Sequence, residues 1–174
     1  MVEHLIQQGH RKIACITGPL HRHNSRLRQQ GYLDALAQAG ILPSKSLCEE
    51  GNYGRKSGYF AMQQLFARHP EITAVFSCSE EMTTGALQYL HEQGIAVPGR
   101  ISIVSFDSVD LCESLYPTVT AVHFPISEMA RAAVQSLIAM VKQQPTVGPQ
   151  SFRPILKKRH ADQPLSKIAE RQDS

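Results

Sequence analysis

No stretch of this chain approaches the about 18 consecutive apolar residues of a membrane-spanning helix. Its opening residues, MVEHLIQQGHRK, also lack the apolar run and small-residue cleavage site of a secretory signal. Both absences point to the cytoplasm. Cysteine is sparse: Cys15, Cys48, Cys78 and Cys112 stand singly, with no CxxC and no histidine at metal-ligand spacing beside them. They read as reduced, small apolar residues rather than ligands or nucleophiles. Also missing are a GxSxG elbow, a GxxxxGK phosphate loop and a GxGxxG dinucleotide fingerprint. His21, His23 and His123 have no neighbours that mark one of them as a base, so they read as surface histidines. An enzyme is therefore not expected, and neither a cofactor nor a metal is implied. The net charge of +3 is modest, and its densest cluster, Lys157 to His160, reads as a solvated face rather than a nucleic-acid footprint.

What is present is a soluble composition, 42% hydrophobic and 19% charged over 174 residues, enough for one ordinary core. Residues 2 to 8 read as the end of an amphipathic helix closed by Gly9. A strand over 12–16 and a Gly-Pro turn lead to a helix over 24–39, with Asn24 or Ser25 as its N-cap and Gly40 as its stop. A weak strand over 47–49 precedes a helix with Ser57 as candidate N-cap and Ala61, Met62, Leu65 and Phe66 as its apolar stripe. The unit repeats with a strand over 73–77, a helix opening at Ser79 with Glu80 and Glu81 in its first turn, and a strand over 101–106 that ends at Asp107. Strands alternating with helices at this pitch predict an α/β fold with a doubly wound parallel sheet, because each parallel crossover needs a helix. A loop or short helix over 108–115, an extended piece over 119–124, a helix over 127–143 with one continuous apolar stripe, and a strand over 151–156 follow. The residues from Ala161 onward read as an unstructured polar tail.

In open α/β sheets ligands bind beyond the carboxyl ends of the strands. The residues that follow each strand are Arg22, Asn24 and Arg28, then Asn52 and Tyr53, then Ser79 and Glu80, then Asp107. This set combines a guanidinium fork, a carboxylate, small polar groups and an aromatic face. Such a mixture suits a carbohydrate, whose hydroxyls donate and accept while its CH face packs on a ring, and it also suits a nucleobase. Arg28 stands out because a cation in a helix's first turns opposes the dipole there.

The segments HLIQQGHRKIACITGP, RLRQQGYLDAL, TAVFSCSEEMTTGAL, GIAVPGRISIVSFDSV and YPTVTAVHFPISEMARAAV, in this order and spacing, resemble the lactose, galactose and purine repressor family of bacterial transcription regulators. The likeness runs from His4 to about Arg159. It implies a type I periplasmic-binding-protein-like sensor in which effector binds between two subdomains, downstream of a DNA-binding helix-turn-helix. Within it, Arg28 matches the arginine that grips effector, Asn24 the polar residue one turn earlier, Tyr53 the aromatic after the second strand, and Asp107 the aspartate after the strand-end phenylalanine. His123 and Phe124 fall near the implied cleft. Where the family commonly has Asn-Asp before its Met-Ala-x-Gly-Ala helix, this chain has Ser79 and Glu80.

The resemblance further implies that residues 1–122 are the C-terminal subdomain and that 123–146 are a crossover and helix of the N-terminal subdomain. Residues 147–160 would be a returning strand and 161–174 the tail. The front of the family chain, with its DNA-reading helices, is not in this sequence, so it reads as a truncated effector-sensing portion. Its expected partners are a small-molecule effector, sugar or nucleobase, and a second copy or a full-length relative; DNA is reached only through the absent domain. The alternative is a stand-alone cytoplasmic small-molecule-binding protein with no link to DNA.

Overall fold

A computed structural model describes residues 1–106, 111–146 and 148–169. Helix α1 (Val2–Gln7) leads into β1 (Ile13–Thr17), α2 (His23–Gln38), a short 3-10 turn and β2 (Cys48–Glu50). Then come α3 (Arg55–Arg68), β3 (Ala74–Ser77), α4 (Glu80–Glu92), β4 (Ser102–Ser105), α5 (Leu111–Ser114) and β5 (Thr120–His123). Helix α6 (Ile126–Val141), β6 (Ile155–Lys157) and α7 (Leu165–Ala169) close the described chain. The six strands form one sheet in the order β2-β1-β3-β4-β5-β6. The first five are parallel, and β6 returns antiparallel to β5. The doubly wound sheet expected from the alternation is therefore the fold, with an antiparallel strand added at one edge.

Register fixes which side chains share a face, because directly opposed residues point the same way. Cys15, Phe76 and Val104 are aligned across β1, β3 and β4, and Ile16, Ser77 and Ser105 lie on the opposite face. Helix α2 covers the first face. Its Tyr32 is buried, stacks on Phe76 at 6.5 Å between centroids and donates to the Ile13 carbonyl at 2.8 Å. Helix α4 covers the second, with the Thr83 hydroxyl donating to Ser105 Oγ at 2.9 Å. Helices α3 and α4 cross at backbone contact. A Cβ at Gly58 would meet the Met82 carbonyl at 2.0 Å, and one at Gly85 the Arg55 carbonyl at 1.9 Å.

Several expectations are corrected. Helix α2 begins at His23, with Arg22 as an extended N-cap that supplies no side-chain bond. Ser25 is instead buried, its hydroxyl turned to Tyr53. The N-cap of α3 is Gly54, not Ser57; the Ser57 hydroxyl accepts from Asn52 N and donates to the Gly54 carbonyl, which closes the turn ahead of the helix. Nor are residues 161–169 a loose tail. Ala161 and Asp162 are buried, and Asp162 Oδ2 lies 2.7 Å from His4 Nε2 and accepts from Gln8 Nε2 at 2.8 Å. Ile103 N donates to the Ala161 carbonyl and Leu165 N to the Gln8 carbonyl, so long-range bonds order a segment whose local composition is polar. Beside it, buried His10 lies 3.0 Å from Thr73 Oγ1, and burial holds its imidazole below the ordinary range.

The basic cluster at 157–160 is likewise engaged rather than simply solvated. Arg159 donates to the Val119 carbonyl and pairs with Glu113, and Lys157 lies 3.5 Å from the same carboxylate.

Helix α6 differs from α1–α5 in having no buried residue. Its apolar stripe is open, with Leu137 60% and Ile138 48% exposed. Full burial of such a side chain contributes about 1.5–3 kcal/mol, so this face tends to find a partner.

Two predictions follow from this packing. Gly85→Ala should destabilise the protein by about 1–3 kcal/mol, because the backbone of α3 has to move. Gly31→Ala, mid-helix with nothing within 4 Å, should stabilise it by about 0.5–1 kcal/mol. Urea denaturation of the two variants checks the pair, and a neutral Gly85→Ala rules out the close crossing. For α6, Leu137→Glu with Ile138→Glu should shift the isolated chain toward monomer in light scattering while changing its stability by no more than about 0.5 kcal/mol. A wild-type chain already monomeric, with both side chains protected from solvent, contradicts this.

Candidate functional site

Parallel pairing puts the loops after β1, β2, β3 and β4 at one edge of the sheet, and the polar residues of those loops meet around Arg28. Helix α2 directs Arg28 back over the sheet edge, where its Nη1 donates to the Cys78 carbonyl, just past β3, at 2.7 Å. The guanidinium lies on the Phe106 ring, with Cζ 3.8 Å from the centroid. Phe106 in turn packs on Phe124, their centroids 5.4 Å apart. On the other side of Arg28 is Tyr53, its ring 5.9 Å from the Arg28 Cζ and 5.8 Å from that of Arg22. The result is a row of flat groups, Tyr53, Arg28, Phe106 and Phe124, drawn from three loops and one helix. A cation over an aromatic face contributes about 0.5–1 kcal/mol when exposed and about 2 when desolvated.

Tyr53 is held in an unusual backbone state. Its φ is +70°, in the left-handed region that side chains other than glycine's rarely occupy. Three contacts impose it. Gly51 N donates to the Thr17 carbonyl at 2.8 Å, Asn52 Oδ1 accepts from Gly54 N at 2.9 Å, and the Tyr53 hydroxyl meets Ser25 Oγ at 2.6 Å. Below the ring lies Gly18, where a Cβ would come within 2.3 Å of Tyr53 Cζ. Backbone strain of this kind, sustained by its surroundings, concentrates at ligand sites.

A cavity of about 520 Å³ opens beside Arg28 and runs down the first face of the sheet, with Asn24, Leu27, Arg28, Phe76, Phe106 and Val122 in its wall. Its lining is mostly apolar with a few polar groups, Glu3, Asn24 and Arg28 among them, the usual character of a small-molecule site.

A model of the periplasmic binding protein-like domain matches residues 2–161 of this chain. The ribose operon repressor of Escherichia coli (strain K12) is 34% identical over 159 residues, covering 90% of the chain and 48% of the repressor. The regulator GalR of the same organism is 36% identical over 159 residues, covering 91% and 46%. Among solved structures, the Escherichia coli repressor ascG superposes with a TM-score of 0.87 at 32% identity, covering 93% of the chain and 59% of that structure. A cellobiose complex of the regulator CelR gives 0.84 at 31% identity, covering 92% and 49%.

The chain belongs to the LacI/GalR family of transcriptional regulators. It matches their effector-binding portion and spans about half the length of the curated relatives it matches. Those relatives are regulators rather than enzymes. No helix among the described residues is long and apolar enough to cross a membrane.

Of the residues marked in this LacI/GalR sequence, the structure brings Arg28, Tyr53 and Phe124 into one row, sets Arg22 beside the Tyr53 ring and puts Asn24 in the adjoining cavity wall. Ser79 has a structural duty as N-cap of α4, its hydroxyl accepting from Met82 N at 3.3 Å. Asp107 lies outside the described residues. Sequence reasoning missed Phe106, Gly18 and Ser25. Phe106 was detectable from register: it is two residues beyond Val104, which aligns with Phe76 on the face that carries the cavity. Gly18 and Ser25 carry no local signal, since each matters only because Tyr53 arrives from another loop.

The Gly18–Tyr53 contact yields a coupled prediction. Gly18→Ala should cost about 1–3 kcal/mol in the wild-type background, since the added methyl collides with the ring. In a Tyr53→Ala background the same change should cost almost nothing, so the double-mutant cycle shows strong coupling. Additive losses in that cycle mean that Gly18 does not support the ring.

Proposed function

We propose that this chain is the ligand-sensing part of a LacI/GalR-type regulator and takes a sugar or sugar-like small molecule against the Tyr53–Arg28–Phe106–Phe124 row. The observation that carries this reading is the posture of Arg28: flat on Phe106 and anchored through one nitrogen to the Cys78 carbonyl. A guanidinium has five N–H donors in a fixed fork, so fixing one nitrogen pre-orients the others for vicinal hydroxyls. Tyr53 and Phe124 then offer ring faces to the CH side of a sugar. Arg22 and Asn24 stand at the rim, Ser79 at the head of α4, and Asp107, as in the resemblance, is the assigned acceptor.

A nucleobase is the second candidate, because two adjoining phenylalanine rings beside an arginine also suit a planar heterocycle; CytR and PurR are among the relatives. Sugars come first because a structural neighbour holds cellobiose.

The remaining division of the chain belongs to the same proposal. Residues 1–122 form one wall of the cleft. Residues 123–146 cross to the second subdomain, 147–160 return from it, and the open stripe of α6 supports that assignment. Partners are then a second copy or a longer relative, and the setting is the cytoplasm. Operator recognition is not assigned to these residues, and in the 157–160 cluster Lys157 and Arg159 are turned to Glu113 and the Val119 carbonyl.

The test is a thermal-shift screen of sugars and nucleobases on a regulator carrying both subdomains, with Arg28→Ala alongside. One class should raise Tm, and Arg28→Ala should weaken that response by about 1–3 kcal/mol while leaving operator binding intact. An Arg28→Ala protein that responds like the wild type removes the site assignment. The 174-residue chain alone should not retard operator DNA selectively, because affinity for DNA scales with the phosphates neutralised. Selective retardation by the purified chain overturns that part.

A further inference from the structure

Three of the four cysteines meet on one face of the sheet. Cys15 on β1 and Cys48 on β2 are direct register partners. Cys78 lies two residues beyond Phe76, the β3 partner of Cys15, and so points to the same face. The Cys15 thiol adjoins both other sulfurs, and all three are free. Neighbouring strands stand about 4.7–4.9 Å apart, inside the roughly 4.4–6.8 Å Cα separation that a disulfide spans. Access is unequal. Cys15 and Cys78 are fully buried, whereas Cys48 is half-buried on β2, the edge strand of the sheet.

We propose that Cys48 and Cys15 form a peroxide-sensitive pair, in which Cys48 is oxidised first and Cys15 resolves it to a disulfide joining β2 to β1. Electrostatics agree with these roles. The adjoining Cys15 thiol, with Tyr32 and Gln29 beside it, holds the Cys48 thiol below its ordinary range, while burial pushes Cys15 well above. The reachable sulfur is thus the one that ionises more readily, and the thiolate is the nucleophile toward peroxide.

In the first step the Cys48 thiolate attacks hydrogen peroxide. An S–O bond forms, the O–O bond breaks, and hydroxide leaves, so that Cys48 becomes a sulfenic acid. In the second step the Cys15 sulfur attacks Cys48 and the S–O bond breaks. The departing hydroxide takes the Cys15 proton and leaves as water. Two thiols lose two electrons in all, and one peroxide is reduced to two waters. The link would form one turn of strand below Gly51 and Tyr53, on the same face as Tyr32 of the helix that carries Arg28.

The experiment is brief treatment of the native protein with hydrogen peroxide, followed by thiol titration and mass mapping of the digest. The titrated thiols should fall from four to two, with Cys15 and Cys48 peptides linked and dithiothreitol restoring all four. In Cys15→Ser the reaction should stop at a Cys48 sulfenic acid trapped by dimedone, and in Cys48→Ala no linked peptide should form. Oxidation that begins at Cys78 or Cys112, a Cys15–Cys78 link, or four unreacted thiols in wild-type protein each overturns the proposal. The wild-type measurement alone decides it should either variant fail to fold.

Discussion

Parallel pairing of β1, β3 and β4 is the constraint on which the rest of this structure depends. Parallel strands cannot be joined by tight turns, so each is followed by a helix that returns to the starting edge, and every loop that leaves a strand leaves from the same side. Residues far apart in the sequence are thereby forced together: Arg28 from α2, Tyr53 after β2, the Cys78 carbonyl after β3 and Phe106 after β4. The apolar alternation that builds the sheet and the polar residues that form the site are thus consequences of one topology. Slipping β3 by one residue would turn Phe76 to the other face and remove part of the cavity wall.

Within that edge, the Arg28 position is held by shape rather than by opposite charge among the described residues. A guanidinium is weakly hydrated and planar, so an aromatic plane below it and one carbonyl at its side fix its orientation at small desolvation cost. The strained Tyr53 completes the row from the far side. Its left-handed backbone costs about 1–3 kcal/mol, and the turn bonds of residues 51–57 with the Ser25 hydroxyl offset that cost. Preorganisation of this kind lowers the entropy lost when a ligand arrives, which is the physical advantage of locating strain here rather than in the core.

Elements with strong periodicity were legible from the amino-acid order, and so was the convergence of Arg28 and Tyr53, because strand ends in a parallel sheet share an edge; Phe124 came only from the family resemblance. What escaped depends on contacts between distant segments. The helix starts at His23 and Arg55 were misplaced because hydroxyls with capping potential, Ser25 and Ser57, are used by Tyr53 and by the 52–54 turn. The ordered segment 161–169 has the composition of a tail, and only its partners on α1, β4 and the loop before β1 reveal otherwise: His4 and Gln8 bind Asp162, Ile103 binds Ala161, and His10 reaches the Gln163 carbonyl. Phe106 reads from sequence as the apolar end of its strand, and only the approach of Arg28 from α2 gives its ring a second role.

Helix α6 shows where packing on this chain stops. It is regular, its stripe is continuous, and none of its residues is buried, so the helix owes nothing to the core formed by β1–β5. Isolated helices of this length are marginal in water even with favourable sequences. Its apolar face is therefore best understood as half of a contact, the other half being supplied from outside the described residues. In the proposed arrangement that other half is the second subdomain, and the two segments flanking α6, β5 and β6, are then the hinge between the two walls. Those strands pair only with each other and with β4, which lets a change in cleft opening be absorbed at the rim of the sheet while the β1–β3–β4 register that fixes Arg28 stays intact. Ligand-driven closure can then move α6, with Phe124 at the hinge, while Arg28, Tyr53 and Phe106 keep their places on the first wall.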